Sequence, residues 1–292
     1  MKNIQLSVTL ATFNEEANLA KCLESVQNLA DEIIIVDGQS SDNTVKVAKE
    51  FGAIVEILPN QPNFHINKQL ANDKARGKWV LQLDADEIVG PELAGEIKQF
   101  LQATDQQKNT WSISAHNAKL FSHQQQQLEI RDNHKIGKET GEVVAFFIPR
   151  QNFFLNYPMR HTGVYPDGVI RLFKNGFAHL PAKDVHEQYH VDGRVGWLNY
   201  PLHHFDSPTF DRYLTRNARY ASLFAQDLAK QKVSLSWSSA IYYMFIKPLQ
   251  IFISLWLRHG GYKDGFPGLV FSLYSGLTWA QAYIKYWEKN SA

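Results

Sequence analysis

The 292-residue chain is 44% hydrophobic and 13% aromatic, enough apolar material for a large packed core, which excludes a disordered protein. Thirty Lys and Arg against twenty-nine Asp and Glu leave a net charge of +1, which excludes a nucleic-acid binder that relies on a strongly basic surface. Cys22 is the sole cysteine, so no intrachain disulfide can form and a reducing compartment is expected.

The opening "MKNIQLSVTLATFNEE" has a short apolar run and no small-residue cleavage site, and reads as a strand and not a signal peptide. Behind it, "NEEANLAKCLESVQNL" places Leu19, Leu23 and Val26 at helical spacing after an expected Asn14 cap. "EIIIVDG" is a strand ending at Asp37 and Gly38. "SDNTVKVAKEFG" is a helix stopped by Gly52, and "AIVEIL" is a third strand. A helix through "NKQLANDKARG" leads to the strand "KWVLQLD". Alternating strands and helices at this spacing predict a mostly parallel, doubly wound α/β sheet with helices on both faces and ligands at the carboxyl ends of the strands.

After about residue 105 the alternation fades, and "HQQQQLEIRDNHKIGKETGE" is polar enough for a mobile loop or an exposed hairpin. A helix is legible in "SPTFDRYLTRNARYASLFAQDLAKQ", with Phe210, Tyr213, Leu214, Asn217, Ala221, Phe224 and Leu228 on one stripe. The composition then shifts to the aromatic-rich "IYYMFIKPLQIFISLWL" and "GFPGLVFSLYSGLTWAQAYI". The first run is short of the ~20 residues a span needs and is interrupted by Lys247 and Pro248, which favours lying in a membrane interface. The second is apolar nearly all round, and Lys247, Arg258, Lys263, Lys285 and Lys289 outnumber Asp264 and Glu288. Residues 1–232 are therefore expected as a catalytic domain and 233–292 as a helical membrane-associating extension, with packing on the first domain or a homodimer through these helices as the other outcomes.

"VLQLDADEIVG" carries the chemistry. Asp84, Asp86 and Glu87 crowd three acids into four positions where a buried strand ends, so positive charge is expected beside them. Oxygen ligands of this kind suit Mg²⁺ or Mn²⁺, although an acidic loop facing water has the same sequence. Asp37 ends a strand at the same edge, and Thr12, Asn14 and Glu15 add polar groups there. A nucleoside diphosphate with a divalent cation accounts for all three clusters together.

"SVTLATFNEEANLAKCLESV", "DEIIIVDGQSSDNT" and "ARGKWVLQLDADE", in that order, resemble the successive motifs of glycosyltransferase family 2, whose fold is GT-A. The later "VIRLFKNG" and "DVHEQ" are similar to the branch of lipopolysaccharide-core β-glucosyltransferases. The likeness runs over roughly residues 4 to 225; Gln69 stands where the family often has Asn, and Lys78 where an acid is usual. It implies that Thr12, Asn14, Glu15, Asp37, Asp42 and the backbone at Ala85 bind the nucleotide sugar, and that Asp84 and Asp86 hold the metal on the diphosphate. Lys68 and Arg171 would contact the diphosphate, unless they are solvated surface charges. Glu187 would be the base that takes the acceptor's proton, with Asp184 in reserve and His186 orienting; a Glu187 ion pair with Arg194 or Lys183 is the structural alternative. His204 fits a third metal ligand better than His203.

The expected function is thus an inverting, metal-dependent transfer of glucose or another hexose from a nucleotide-diphospho-sugar, with UDP the default. The acceptor is expected to be a lipid-linked or lipopolysaccharide glycan at the cytoplasmic face of the inner membrane, with no nucleic acid involved. A non-catalytic nucleotide-sugar-binding scaffold is the competing reading. A nucleotidyltransferase would need a glycine-rich phosphate loop, and "TLATFNEE" has no glycine.

Overall fold

The computed structural model describes residues 4–132, 135–181 and 188–291. In chain order the elements are β1 (Leu6–Thr12), α1 (Glu16–Val26), β2 (Glu32–Asp37), α2 (Thr44–Glu50), β3 (Ile54–Ile57), α3 (Phe64–Asp73), β4 (Trp79–Leu83), β5 (Glu87–Val89), α4 (Pro91–Gln102), α5 (Asp105–Asn109) and α6 (Ala115–Asp132). They continue as β6 (Val143–Phe154), β7 (Tyr157–Pro158), β8 (Asp167–Lys174), β9 (Ala178–His179), β10 (His190–Val191), β11 (Arg194–Trp197), β12 (Leu202–Ser207), α7 (Phe210–Lys230), α8 (Trp237–Ile241), α9 (Lys247–Ile253) and α10 (Gly265–Asn290). Two compact units divide the chain: Met1–Arg150 with Pro166–His204, and Gln151–Tyr165 with Phe205–Ala292.

In the first unit the sheet order is β3-β2-β1-β4-β8-β6-β12-β5. The first four strands are parallel, as expected, with Thr12 level with Asp37 and Leu10 with Leu83. From β4 onward the pairings β4 to β8, β8 to β6 and β12 to β5 are antiparallel, while the short β11 adds to β6 in parallel, so the run of adjacent parallel strands belongs to the segment in which helices α1 to α3 carry the chain between strands. The pleat sends alternate residues to two cores. Trp79, Leu81 and Leu83 join Leu10, Leu23 and Phe100 on one face, while Val80 joins Phe121, Phe147 and Trp197 on the other.

Two local expectations are corrected. The first half of the polar stretch expected as a loop or hairpin, His123–Asp132, belongs to helix α6: glutamine is a good helix former, and Phe121 and Leu128, two turns apart, bury against the second core, while 135–142 has no regular structure. Asn14 does not cap α1. It takes the left-handed conformation, with φ of 56°, and its Oδ1 accepts from Ser41 N at 2.8 Å.

In the second unit α7 buries Tyr213, Asn217, Ala221 and Leu228 of the expected stripe and packs on α10, with Phe224 stacked on Trp279 at 4.6 Å. The preceding helical rod starts earlier than expected. Ser236 accepts from Ser239 N as its cap, so the rod runs from Trp237 to Arg258, 22 residues, long and apolar enough to cross a membrane. Around Pro248, which has no N–H to give, the rod widens into a π-helical turn at Tyr242–Ile246. Gly268, Ser272 and Gly276 form the seam where α10 meets this rod and the turn that follows it; a Cβ on Gly276 would lie 2.5 Å from the Pro248 carbonyl oxygen. The outer faces stay uncovered: Phe245, Leu249, Leu257, Phe266 and Leu273 are all exposed.

Gly276→Leu is expected to destabilise the second unit by about 1–3 kcal/mol by overpacking. Gly95→Ala, where the added Cβ meets nothing within 4 Å, should gain about 0.5–1 kcal/mol of helix stability. Thermal unfolding in mild detergent checks both signs.

Candidate active site

The acids at the end of β4 find their positive partners within the chain. Asp84 lies between two cations, Lys68 Nζ at 2.5 Å on Oδ1 and Arg171 Nη2 at 2.6 Å on Oδ2. Arg171 reaches it because β8 runs antiparallel beside β4, with Leu172 level with Leu81. The same guanidinium donates to Glu87 Oε1 at 2.7 Å and, through Nη1, to the side-chain oxygen of Gln82. Glu87 is fully buried and its other oxygen accepts from Asp84 N at 2.9 Å, which closes the turn between β4 and β5. Arg150 adds a third base, donating to Asp167 at 3.0 Å from Nε and lying 3.5 Å from Glu87.

Charge and burial contend here, and charge wins at Asp84. Burial opposes its ionisation, yet Arg171 and Lys68 hold its carboxyl well below the ordinary range. Burial pulls the Lys68 ammonium down, against the pull of Asp84. Arg171 is raised despite its burial, by Asp84 and Glu87. A cavity of about 220 Å³ opens onto this cluster, lined among others by Lys68, Asp84, Arg131, Arg150, Asp167 and Arg171.

At the ends of β1 and β2 the polar groups lock together. Asp37 is fully buried and accepts from Thr12 Oγ1 at 2.8 Å and from Ser40 N at 2.8 Å. Glu15 N donates to Thr44 Oγ1, and Asp42 Oδ1 accepts from Thr44 N, at the first residue of α2, at 3.0 Å. Asn14 and Gln39, at φ of 56° and 63°, are both left-handed non-glycine residues in this rim, a conformation kept only where surrounding bonds over-determine it.

Asp86 and Ala85 occupy the turn, Ala85 buried. The register of β12 on β5 sets His204 opposite Glu87 and brings its Nε2 to 3.6 Å from Asp86 Oδ1. His203 instead packs against Gly90, where burial lowers its pKa and Glu92 acts against that. Among the described residues no three of His, Cys, Asp or Glu converge on one point. Asp86 and His204 nevertheless suit a hard divalent cation as a pair, since neighbouring ligands of an octahedral ion lie about 3 Å apart and such ions keep several waters or phosphate oxygens.

Asp184 and Glu187, with His186 and Lys183, lie outside the described residues. Arg194 donates to the carbonyls of Gly141 and Asn109. The two departures from the family pattern are both engaged: Gln69 accepts from Leu180 N at 2.7 Å, and Lys78 lies 3.5 Å from Asp105. Glu87 and Arg150 are the residues that the motif reading leaves without a role. Arg150 sits inside the apolar "VVAFFIPRQ", the same signal that singles out Arg171 in "VIRLF".

The family model described as glycosyl transferase family 2 matches residues 7–162, more than half of the chain. An uncharacterized glycosyltransferase of Rickettsia felis is 27% identical over 242 residues, 80% of this chain and 73% of the relative. The lipopolysaccharide core biosynthesis glycosyltransferase LpsC of Rhizobium meliloti is 24% identical over 294 residues, 97% of this chain and 93% of the relative. Among solved structures, glucosyl-3-phosphoglycerate synthase from Mycobacterium tuberculosis in complex with Mn²⁺, UDP-glucose and phosphoglyceric acid is 29% identical over 32% of this chain and 41% of its own, with a TM-score of 0.27.

Arg171→Met takes from buried Glu87 its closer cation, leaving Arg150 at 3.5 Å, and is expected to cost about 3–5 kcal/mol, measured by urea unfolding. Adding Glu87→Met should restore at least half of that loss. Equal stability of the single and double variants would show that the pair does not carry the turn.

Proposed function

We infer the reaction from one premise: this chain belongs to glycosyl transferase family 2 and is a glycosyltransferase that moves a sugar from a nucleotide-sugar donor. Its α/β fold is of the GT-A kind, with the parallel half β3-β2-β1-β4 built from the matched segment. The donor is proposed to bind across the carboxyl ends of β1, β2 and β4, with the nucleoside toward Thr12, Asn14, Glu15, Asp37 and Asp42 and the diphosphate toward Asp84 and Ala85. The Lys68–Asp84–Arg171 cluster carries this reading, because it holds two cations in a buried place where a diphosphate can take over their bonds. Asp37, spent on Thr12 and Ser40, serves by fixing the loop that meets the nucleoside.

Asp86 and His204 would hold Mg²⁺ or Mn²⁺, with Asp84 joining once Lys68 and Arg171 turn to the diphosphate. Such an ion, when bound, neutralises charge on the departing diphosphate. Lys68 and Arg171 stabilise the same leaving group. Glu187 takes the proton of the acceptor hydroxyl as that oxygen attacks the anomeric carbon from the face opposite the diphosphate, which inverts the configuration; Asp184 is the alternative base. UDP-glucose or another UDP-hexose is the proposed donor.

The proposed acceptor is a lipid-linked or lipopolysaccharide glycan of the cell envelope. Two observations support it: the likeness to LpsC over nearly the whole chain, and the uncovered apolar faces of the rod Trp237–Arg258 and of α10. Residues 1–232 are proposed to hold the catalytic machinery and 233–292 the contact with the cytoplasmic face of the inner membrane, the rod lying in the interface and not spanning.

In a thermal-shift assay with UDP-glucose and MnCl₂, the parent is expected to gain stability that chelation removes, on the order of 2–3 kcal/mol at a hundredfold excess over Kd. Asp86→Ala should lose the Mn²⁺-dependent part; a shift that survives both chelation and Asp86→Ala overturns the metal assignment. Glu187→Gln should leave the shift intact and slow radiolabelled sugar transfer by roughly 10² to 10⁴. Undiminished transfer would move the base to Asp184, and donor retention without transfer in the parent would favour the scaffold reading.

A further inference from the structure

One end of the helical hairpin is chemically unlike the rest of it. The rod Trp237–Arg258 ends at Arg258 and His259, and after Gly260, left-handed at φ of 69°, a short 3₁₀ turn of Gly261–Asp264 leads into α10. A distant segment of the same unit is stitched to this turn. The buried carboxylate of Asp264 accepts from His161 N at 2.8 Å and from Arg160 N at 3.3 Å and lies 2.8 Å from His161 Nδ1, while Thr162 N donates to the His259 carbonyl at 3.1 Å. Arg160 and His161 are thereby fixed beside Arg258, His259 and Lys263. The side chains of Arg160, Arg258, His259 and Lys263 are exposed.

Asp264 is the sole acid in residues 151–165 and 250–270, and its oxygens are already spent on the stitch. The charges of Arg160, Arg258 and Lys263 are therefore uncompensated by any acid of these two segments. Beside them stand large apolar side chains facing solvent: Leu257 at 60% exposure, Tyr262 at 52% and Phe266 at 71%. A soluble anion would use the bases and leave these rings in water. A headgroup phosphate with its acyl chains satisfies both sets at once.

We propose that this stitched tip, Arg160–Thr162 with Arg258–Phe266, is a binding site for the phosphate headgroup of an anionic phospholipid. The inference rests on the membrane reading above and adds to it a defined, charge-selective point of contact. The site orients the hairpin by one end, the apolar faces providing the remaining adhesion.

The test is co-sedimentation of the full chain with vesicles of pure phosphatidylcholine and of phosphatidylcholine with phosphatidylglycerol, at low and high salt. The parent should bind the anionic vesicles more tightly, and salt should remove the difference. Arg160→Gln/Arg258→Gln/Lys263→Gln leaves the Asp264 stitch untouched. It should weaken anionic-vesicle binding by about 100-fold, at about 1 kcal/mol per base, without changing binding to phosphatidylcholine. The control Lys46→Gln/Lys49→Gln/Lys98→Gln removes the same charge from exposed lysines of the first unit and should weaken it far less. Equal binding of parent and tip variant to anionic vesicles, or equal losses in tip and control variants, overturns the headgroup site while leaving the membrane reading in place. No binding to either vesicle overturns both.

Discussion

The site depends on one constraint: a carboxylate at the end of a buried strand must be neutralised, and Asp84 is neutralised by Lys68 from α3 and Arg171 from β8. Removing these charges from water costs several kcal/mol each, so they stay ionised only by holding one another in close geometry. That requirement fixes the order of the central strands. β8 must lie next to β4 for Arg171 to reach Asp84, Gln82 and Glu87 together, and α3 must cover the same edge. On the proposed donor site, a diphosphate arriving in the adjoining cavity would meet cations whose desolvation has already been offset by folding. Exchange of one acid partner for another then needs little further loss of hydration, which is how a site can be both stable when empty and receptive to a highly charged donor.

The second unit answers a different constraint. Its rod and α10 approach closely because Gly268 and Gly276 leave no side chain and Ser272 only a small one in the seam, and large apolar residues face outward. Length alone would let the rod span a bilayer. The proposed placement in the interface is supported by the surroundings: α10 is covered on one side by α7, whose outer face carries Asp211, Arg219, Asp227 and Lys230 in solvent. Immersing that assembly would drag charged groups into hydrocarbon, at several kcal/mol apiece, whereas lying flat buries only the apolar side.

The first ninety residues are the legible part of the sequence. Strands β1, β2 and β4 are buried on both faces and read as largely apolar runs, and the polar clusters at their ends mark the edge proposed to bind the donor without knowledge of the pairing. What escapes is either local competition or long range. Asn14 carries the chemistry of a helix cap, yet its side chain is taken by Ser41, 27 residues away. Helix α6 has too thin an apolar stripe to announce itself among its glutamines. Glu87 and Arg150 join the cluster through pairings 84 and 63 residues apart, Arg171 to Glu87 and Arg150 to Glu87, which no spacing rule reaches.

The choice between His203 and His204 shows how fine that long-range information is. Neighbouring residues of a strand face opposite sides, so a slip of one position between β12 and β5 would exchange the two imidazoles. The pairing of Leu202 with Val89, His203 with Ile88 and His204 with Glu87 spans three residues and would be weakly specified alone. It is pinned from both sides. The His203 ring fills the space over Gly90 that a Cβ would enter at 3.3 Å, and Leu202 is buried in the core with Val89. Packing remote from the acids thus decides which histidine meets Asp86, and a larger residue at position 90 would disturb the site without touching any charged group in it.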